Sequence, residues 1–497
     1  MINVPVRATT KKLPVQFSLN RRFGLMTTAL GGLGSILLTA ILLLAYACSG
    51  EQTFFLIMLI TSLFIPLFFV ASTYSSLHSY LFSAGFWLAV TIGFYIILKA
   101  VAMLISGNVV GLNLPLAGVL LFLMGCTISL TVMQFWQWRT LSTSTGKSCH
   151  TDQPIGYLSP IGVAICGFGF FLLKALALVA FFRVSYGQNV LEVNSATQGG
   201  GAAYIYRLLN VSNIFYLFLA VHCYKTRKFT KLFCIATAWI FADAVISSGR
   251  YQIIITIFWN AFLYHRYISP IKLRYLFLVT PALVTIISFF AITRGEGIGK
   301  LTVILDAAKY LLNNSAVIFE IFMARMDMLP QMAQGFYLHS VNRLPDLYGM
   351  SGIYAFLHAI PRPLWPDKPP LTAALVTEKV MPGAYNDGVL IYPSFVLEGL
   401  LNLGWSGIFL AGIFTGVACF FYDKAAQSRS IVAVVWSLVF FTFPMGLLNE
   451  GIHSNFTANL IYISFLFTVI VVALMMTKSL LRTPDTAAPI RSWSDAA

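Results

Sequence analysis

The chain predicts an all-α polytopic membrane protein, with about twelve transmembrane helices and one long polar loop outside the membrane. Three observations carry this reading. Apolar residues make up 58% of the 497 residues and charged residues only 10%, where soluble domains carry about 25% charged residues. The mean hydropathy is +0.81, and the apolar residues gather in runs of the roughly 17–25 residues that cross a hydrocarbon core. Between Arg294 and Gly388 no such run occurs, and that stretch holds eight Lys or Arg and eight of the chain's 17 Asp or Glu.

The elements follow in order. Residues 1–23 form a basic, cytoplasmic N-terminal segment. Nine spans fill residues 24–293: Gly24–Ala47, Thr53–Ser72, Ser83–Ser106, Leu114–Phe135, Leu158–Phe182, Ala203–Cys223, Leu232–Ser247, Tyr251–Tyr264 and Tyr275–Thr293. The first starts after Arg21-Arg22 and is followed by Ser-Gly-Glu-Gln rather than a small-residue cleavage site, so it reads as an uncleaved span. The seventh and eighth are short and joined by Ser248-Gly249-Arg250, as in a hairpin that barely surfaces. Residues 294–388 are the long polar loop. Residues 389–477 carry three further spans: part of Val389–Phe421, then Ile431–Leu448 and Ala458–Met476. Residues 478–497 are a polar cytoplasmic tail.

Basic residues test this count. With the N-terminus inside and the spans alternating, nineteen Lys or Arg fall in cytoplasmic segments, among them Arg21, Arg22, Arg139, Lys225, Arg227, Lys228, Arg266, Lys424 and Lys478. The short outer loops hold Arg183 and Arg250, with Arg207 near an outer span end. That asymmetry sets orientation by the positive-inside rule. It places both termini in the cytoplasm and the 294–388 loop on the outer, periplasmic face. The net charge of +15 therefore sits at span ends and does not mark a nucleic-acid surface. Cys126, Cys166, Cys234 and Cys419 fall inside apolar runs, where Cys acts as a small hydrophobe.

The loop carries its own pattern. Val303, Ile304, Ala307 and Leu311, then Val317, Ile318, Ile321 and Phe322, recur at helical spacing, with Asn313-Asn314 dividing two amphipathic pieces. Glu320 and Asp327, seven apart, share a face if one helix holds both. Pro361-Arg362-Pro363-Leu364-Trp365-Pro366-Asp367-Lys368-Pro369-Pro370 predicts a rigid, extended, polyproline-like path. Arg362, Asp367 and Lys368 are then held in fixed directions.

Ionisable groups gather on the outer side: Arg250, Arg294, Glu296, Glu320, Arg325, Asp327, Arg343, Arg362, Lys368, Glu398, Glu450 and His453. Lys99, Lys174, Arg207 and Asp243 lie inside apolar runs, where charges face a partner or a wet cavity. Asp243 and Arg250, seven apart, pair if their helix persists. Arg presents a planar fork that takes phosphate oxygens in pairs and keeps its proton. A set of Arg at this depth fits a ligand with a lipid tail in the bilayer and a phosphate or pyrophosphate at its surface. Glu320, Asp327, Glu450 or His453 beside it has the chemistry to act as a general base toward a hydroxyl. The chain has no Walker A loop, HExxH, GxSxG or Cys/His metal spacing. No cofactor is expected.

One further constellation stands out. It comprises Ser248-Gly249-Arg250, a span ending in Thr293-Arg294-Gly295-Glu296, Glu320 and Arg325, the Pro361–Pro369 string, and Phe395, Glu398, Gly404 and Gly407 entering the next span. This resembles the Wzy-type O-antigen (oligosaccharide repeat unit) polymerases over about residues 247–416. The resemblance implies a GT-C-like, metal-independent membrane glycosyltransferase. Its substrates would be oligosaccharide repeats on undecaprenyl pyrophosphate at the periplasmic leaflet of the inner membrane. A polysaccharide chain-length regulator would be its partner. Arg250 and Arg294, with Arg325, Arg343, Arg362 and Lys368, would bind the donor pyrophosphate, and the catalytic candidates remain Glu320, Asp327, Glu450 and His453. Two alternatives stay open. A ligase-like transferase would use the same donor with another acceptor, and a lipid-linked oligosaccharide flippase would use the span charges Lys99, Lys174 and Asp243.

Overall fold

The structure, a computed structural model, describes residues 82–107, 111–143, 160–180, 211–246, 250–269, 301–314, 327–357, 367–383, 391–428, 430–441 and 443–455. Isolated positions among 60–63, 271–289, 317–321, 360–365 and 464–472 are also described. Every regular element among the described residues is helical. In chain order these are α1 (Ala84–Ile92), a π-helical turn (Gly93–Leu98), α2 (Lys99–Ile105), α3 (Asn113–Thr143), α4 (Pro160–Ala180), α5 (Ser212–Thr226), α6 (Lys231–Ile246) and α7 (Arg250–Tyr267). There follow α8 (Leu301–Asn313), α9 (Met328–Ser340), α10 (Met350–Leu357), α11 (Thr372–Val380), α12 (Phe395–Ala426), α13 (Ile431–Val439) and α14 (Phe443–Asn455).

Three helices among the described residues are long and apolar enough to cross a membrane: Ala84–Ile105, Asn113–Gln137 and Phe395–Ala426. Ile161–Leu176 is a shorter apolar helix. Their outward faces have the chemistry of a lipid-facing surface. On α4, Ile161, Ile165, Leu172 and Leu176 form one exposed stripe at helical spacing; on α12, Leu403, Leu410, Phe414 and Phe421 do the same. Water-exposed surfaces rarely carry such continuous apolar stripes, whereas a bilayer accepts them. The chain is a helical membrane protein.

The chain divides into two compact units. The first holds Met1–Lys147, Asp327–Asp346 and Phe395–Phe421. Its packing rests on close backbone approach between α3 and α12. A Cβ on Gly412 would collide with the Phe122 carbonyl, and one on Gly125 with the Phe409 carbonyl; one on Gly416 would meet Ser129 Oγ. The Cys126 thiol donates to the Gly412 carbonyl at 3.1 Å. Small residues that let backbones touch are the usual means of helix association in a membrane, where burial of apolar surface drives little. Helix α12 is broken at Leu403 and Gly404 (φ 62°, ψ −146°). That break lets Gly399 and Gly407 press backbone to backbone. Helix α9 lies against α3 and the π turn, with Phe336 on Gly118 and Gly335 under Leu397.

The second unit holds Ser148–Met326, Leu347–Ser394 and Tyr422–Ala497. Helix α5 is its centre, with residues 214–221 all buried, and it packs on α4, α6, α7 and α13. The Trp259 indole donates to the Leu438 carbonyl at 2.8 Å, tying α7 to α13. Trp239 of α6 fills the space over Gly167 of α4. One to two turns further along both helices, Lys174 meets Asp243. The two contacts advance together, so α4 and α6 run in the same direction.

Several expectations change. The span expected over Ile431–Leu448 is two helices, α13 and α14, and Gly451 (φ 75°, ψ 177°) breaks α14 again. Asp327 stands at the N-cap of α9 with φ −87° and ψ 4°, outside the helix that starts at Met328, and Glu320, its expected neighbour on a shared face, lies outside the described residues. Asp243 takes Lys174 as partner, and α6 and α7 are separate helices packed on each other. The proline-rich run is not extended throughout: the Lys368 N–H donates to the Trp365 carbonyl at 3.2 Å. Proline at the second turn position presets a β-turn as readily as a polyproline path. Within the long polar segment, Asp327–Asp346 belongs to the first unit and Leu347–Ser394 to the second. Its amphipathic start is as expected: Ala307 and Leu311 of α8 are buried while Asp306, Lys309 and Tyr310 are exposed. The spans expected at Gly24–Ala47 and Thr53–Ser72 lie almost wholly outside the described residues, as does most of Tyr275–Thr293 and Ala458–Met476.

Candidate functional site

In the second unit three parts of the sequence converge. Helix α14 presents His453, α11 presents Thr372, and the turn after the proline-rich run presents Lys368. Helices α10 and α11 both pack on α14, and the Tyr354 ring of α10 lies 6.1 Å from the His453 ring. His453 is 1% exposed and Lys368 6%. The Lys368 ammonium donates to the Ile360 carbonyl at 2.9 Å, which closes the proline-rich loop on itself.

The geometry fixes the state of the histidine. The Thr372 backbone N–H donates to His453 Nδ1 at 3.3 Å. An amide nitrogen cannot accept, so Nδ1 is the unprotonated nitrogen and the neutral ring carries its proton on Nε2. The Thr372 hydroxyl, 3.0 Å from the same Nδ1, is then also a donor. Thr372 is the first residue of α11, and its N–H is one of the groups that a helix leaves without an intrahelical acceptor. His453 therefore caps α11 from another part of the chain. Burial, and then the neighbouring Lys368 charge, lower its pKa from 6.5 to about 4. The positive end of α11 works in the same direction. His453 is thus a neutral imidazole near pH 7, with Nδ1 engaged and a proton at Nε2.

The break at Gly451 sets His453 on a different turn from Glu450, which is partly buried. Asn449 Oδ1 is buried with no hydrogen-bond partner among the described residues. It is an acceptor placed beside Glu450.

The other anticipated residues fall as follows. Arg250 opens α7, directly after the α6–α7 connection. Arg294, Glu320, Arg325 and Arg362 lie outside the described residues. In the first unit Asp327 pairs with Lys99 at 3.6 Å, and Arg343 is exposed near the His339–Asp346 pair (2.9 Å). Glu398 is fully buried in the first turn of α12. Two members of the second-unit cluster, Thr372 and Tyr354, were not anticipated. The signal for Thr372 was present: a Thr directly after Pro-Pro-Leu stands where a helix starts. Among the described residues no group of three His, Cys, Asp or Glu side chains could hold a metal ion.

The class is thus a helical membrane protein whose polar segment delivers a lysine and a helix N-terminus to a buried histidine. Within that class the chain is similar to the O-antigen polymerases of Salmonella typhimurium (strain LT2) and Salmonella typhi, each 27% identical over 278 residues, covering 52% of this chain and 60% of theirs. The chain thus spans about three-fifths of the length of the curated relatives it matches. No protein-family model and no solved structure matches the chain.

Proposed function

We propose that the chain is a membrane polymerase of oligosaccharide repeat units carried on undecaprenyl pyrophosphate, acting in O-antigen or related surface-polysaccharide synthesis. It works at the periplasmic face of the inner membrane, with both termini in the cytoplasm, and a chain-length regulator acts with it. The observation that carries this reading is the 278-residue similarity to two O-antigen polymerases. The charged and histidine-bearing clusters of a lipid-facing helical protein support it.

In the reaction an acceptor sugar hydroxyl attacks the anomeric carbon of the growing chain. The bond from that carbon to the pyrophosphate oxygen breaks, and lipid pyrophosphate leaves with the bonding electrons. The hydroxyl proton passes to a base. Arg250, Arg294, Arg325, Arg343, Arg362 and Lys368 are the groups suited to the pyrophosphate, because fixed cations stabilise the charge that develops as it departs. The base comes from Glu320, Asp327, Glu450 and His453. With Nδ1 engaged by Thr372 and its proton on Nε2, His453 is better suited to donate a hydrogen bond than to take a proton. Glu450, a partly buried carboxylate three residues away on α14, suits the base role better.

Deleting the gene in its own host tests this. The expected outcome is lipid A core capped with single repeats and no longer chains. Loss of single-repeat capping as well would contradict polymerisation and point to transport or ligation. Arg250→Ala should abolish long chains while the protein stays in the membrane.

A further inference from the structure

One end of the second unit gathers cations on a fixed frame. Arg227 stands at the C-cap of α5 with φ 57°, a left-handed conformation usually left to glycine. The Lys228 N–H donates to the Cys223 carbonyl at 3.2 Å, so the connection from α5 to α6 is a closed turn. The Arg227 guanidinium donates to the Tyr267 carbonyl at the end of α7, at 3.3 Å. Arg266 donates in turn to the Ser428 carbonyl just beyond α12, at 2.6 Å. Three chain segments, all of the second unit, are thus tied together at one end by two arginines.

The lysines on the same turn are not used in that way. Lys228 and Lys231 are exposed, and neither side chain makes an ion pair or hydrogen bond among the described residues. From Ser212 to Tyr267 the one carboxylate is Asp243, which Lys174 meets at 2.7 Å. Positive charge therefore remains uncompensated on the turn. An apolar lane leads away from it. Lys231 opens α6, and Ile235, Ala238 and Phe241 follow it on one face at helical spacing, all exposed. Beside the lysines Phe229 is 52% exposed, its ring edge-on to Tyr224 at 5.1 Å and 5.7 Å from Phe233. Exposed Phe next to Lys is the pairing that seats a segment at the boundary of headgroups and acyl chains.

We propose that Lys228 and Lys231 bind the phosphate of an acidic phospholipid, whose acyl chain lies along Ile235, Ala238 and Phe241. Orientation in a membrane asks only for positive charge somewhere in a loop. Here the turn is held rigid, its acids are absent and an exposed apolar lane starts at one of the two lysines. That combination matches an amphiphile with a negative head. A soluble polyanion would gain nothing from Phe229 or from the lane. The inference rests on the helical membrane fold and is independent of the polymerase reading.

The test titrates the purified full chain, in a neutral detergent, with phosphatidylglycerol, phosphatidylcholine and undecaprenyl phosphate, and reads the retained lipid by native mass spectrometry. Wild type is compared with the double variant Lys228→Gln/Lys231→Gln, with the corresponding double substitution to Arg, and with Lys379→Gln, which removes an exposed charge from α11. Phosphatidylglycerol should bind wild type about tenfold more tightly than phosphatidylcholine. That preference should fall several-fold at about 0.5 M salt. It should shrink to within about twofold in K228Q/K231Q and persist in K228R/K231R and K379Q. Equal binding of the two phospholipids to wild type would overturn the inference, as would a preference kept in K228Q/K231Q or lost equally in K379Q. Displacement of phosphatidylglycerol from wild type by equimolar undecaprenyl phosphate would also overturn it, since the lysines would then serve the carrier lipid. If K228Q/K231Q fails to fold, the wild-type salt dependence and K228R/K231R decide: a preference that ignores salt, or that arginine abolishes, contradicts the proposal.

Discussion

At the residue scale His453 is the most constrained group. Its folded pKa of about 4 lies below its ordinary value of 6.5, so between those values the unfolded chain binds more protons than the folded one. The stability from the neutral, capped state is complete above about pH 6.5 and is lost as pH falls through 4, a difference of about 3 kcal/mol. Melting of the purified protein should therefore drop between pH 6.5 and 4, and His453→Asn should flatten that drop. An unchanged slope in the variant would place the titration elsewhere. Thr372→Val removes the hydroxyl donor and leaves the amide donor, so it should cost only about 1 kcal/mol. His453→Ala strands both donors and should cost more. The buried pair behaves differently. Lys174→Met alone leaves the Asp243 carboxylate buried and should cost about 3–5 kcal/mol, whereas Lys174→Met with Asp243→Leu should recover most of it. If the double variant is as unstable as the single one, the pair is more than mutual neutralisation.

At the element scale the contact between α3 and α12 carries the first unit. Gly412→Val should prevent stable folding, since even a Cβ meets the Phe122 carbonyl backbone, which cannot rotate away. Gly404→Ala meets no atom within 4 Å. Its cost is the backbone conformation alone, about 1–3 kcal/mol. Thermal unfolding in detergent should rank the two clearly, and equal effects would contradict the packing argument. Which parts were legible in the sequence follows from the same physics. Apolar length is a local property, so the apolar helical stretches Ala84–Ile105 and Asn113–Gln137 and the helix Pro160–Ala180 fall within a few residues of the runs that predict them. Breaks at Leu403–Gly404 and Gly451 were not legible, because a glycine within an apolar run serves close packing as often as a kink. The Lys174 partner of Asp243 was not legible for a related reason: spacing along one helix is visible in sequence, while Lys174, 69 residues away, is brought there only by packing.

At the scale of the whole molecule the sequence marks the long polar segment as the expected place of chemistry, and its division between the two compact units was not legible. Lys368 was picked out by its proline-rich surroundings and His453 by its place just beyond an apolar run, and the fold joins them. Asp327 was singled out as a carboxylate and turns out to hold Lys99 in the other unit. Composition carries no record of which part of a segment packs with which set of helices. The segment contributes a helix to one unit and a histidine-capped helix to the other, so both units depend on it. The central proposal is that this chain joins lipid-linked repeats. The most direct measurement is reconstitution of the purified protein in liposomes with defined undecaprenyl-pyrophosphate-linked repeats, followed by separation of the products by length. The account predicts a ladder of multiples of the starting repeat. Recovery of the single repeat alone, unchanged or merely moved across the bilayer, would contradict it.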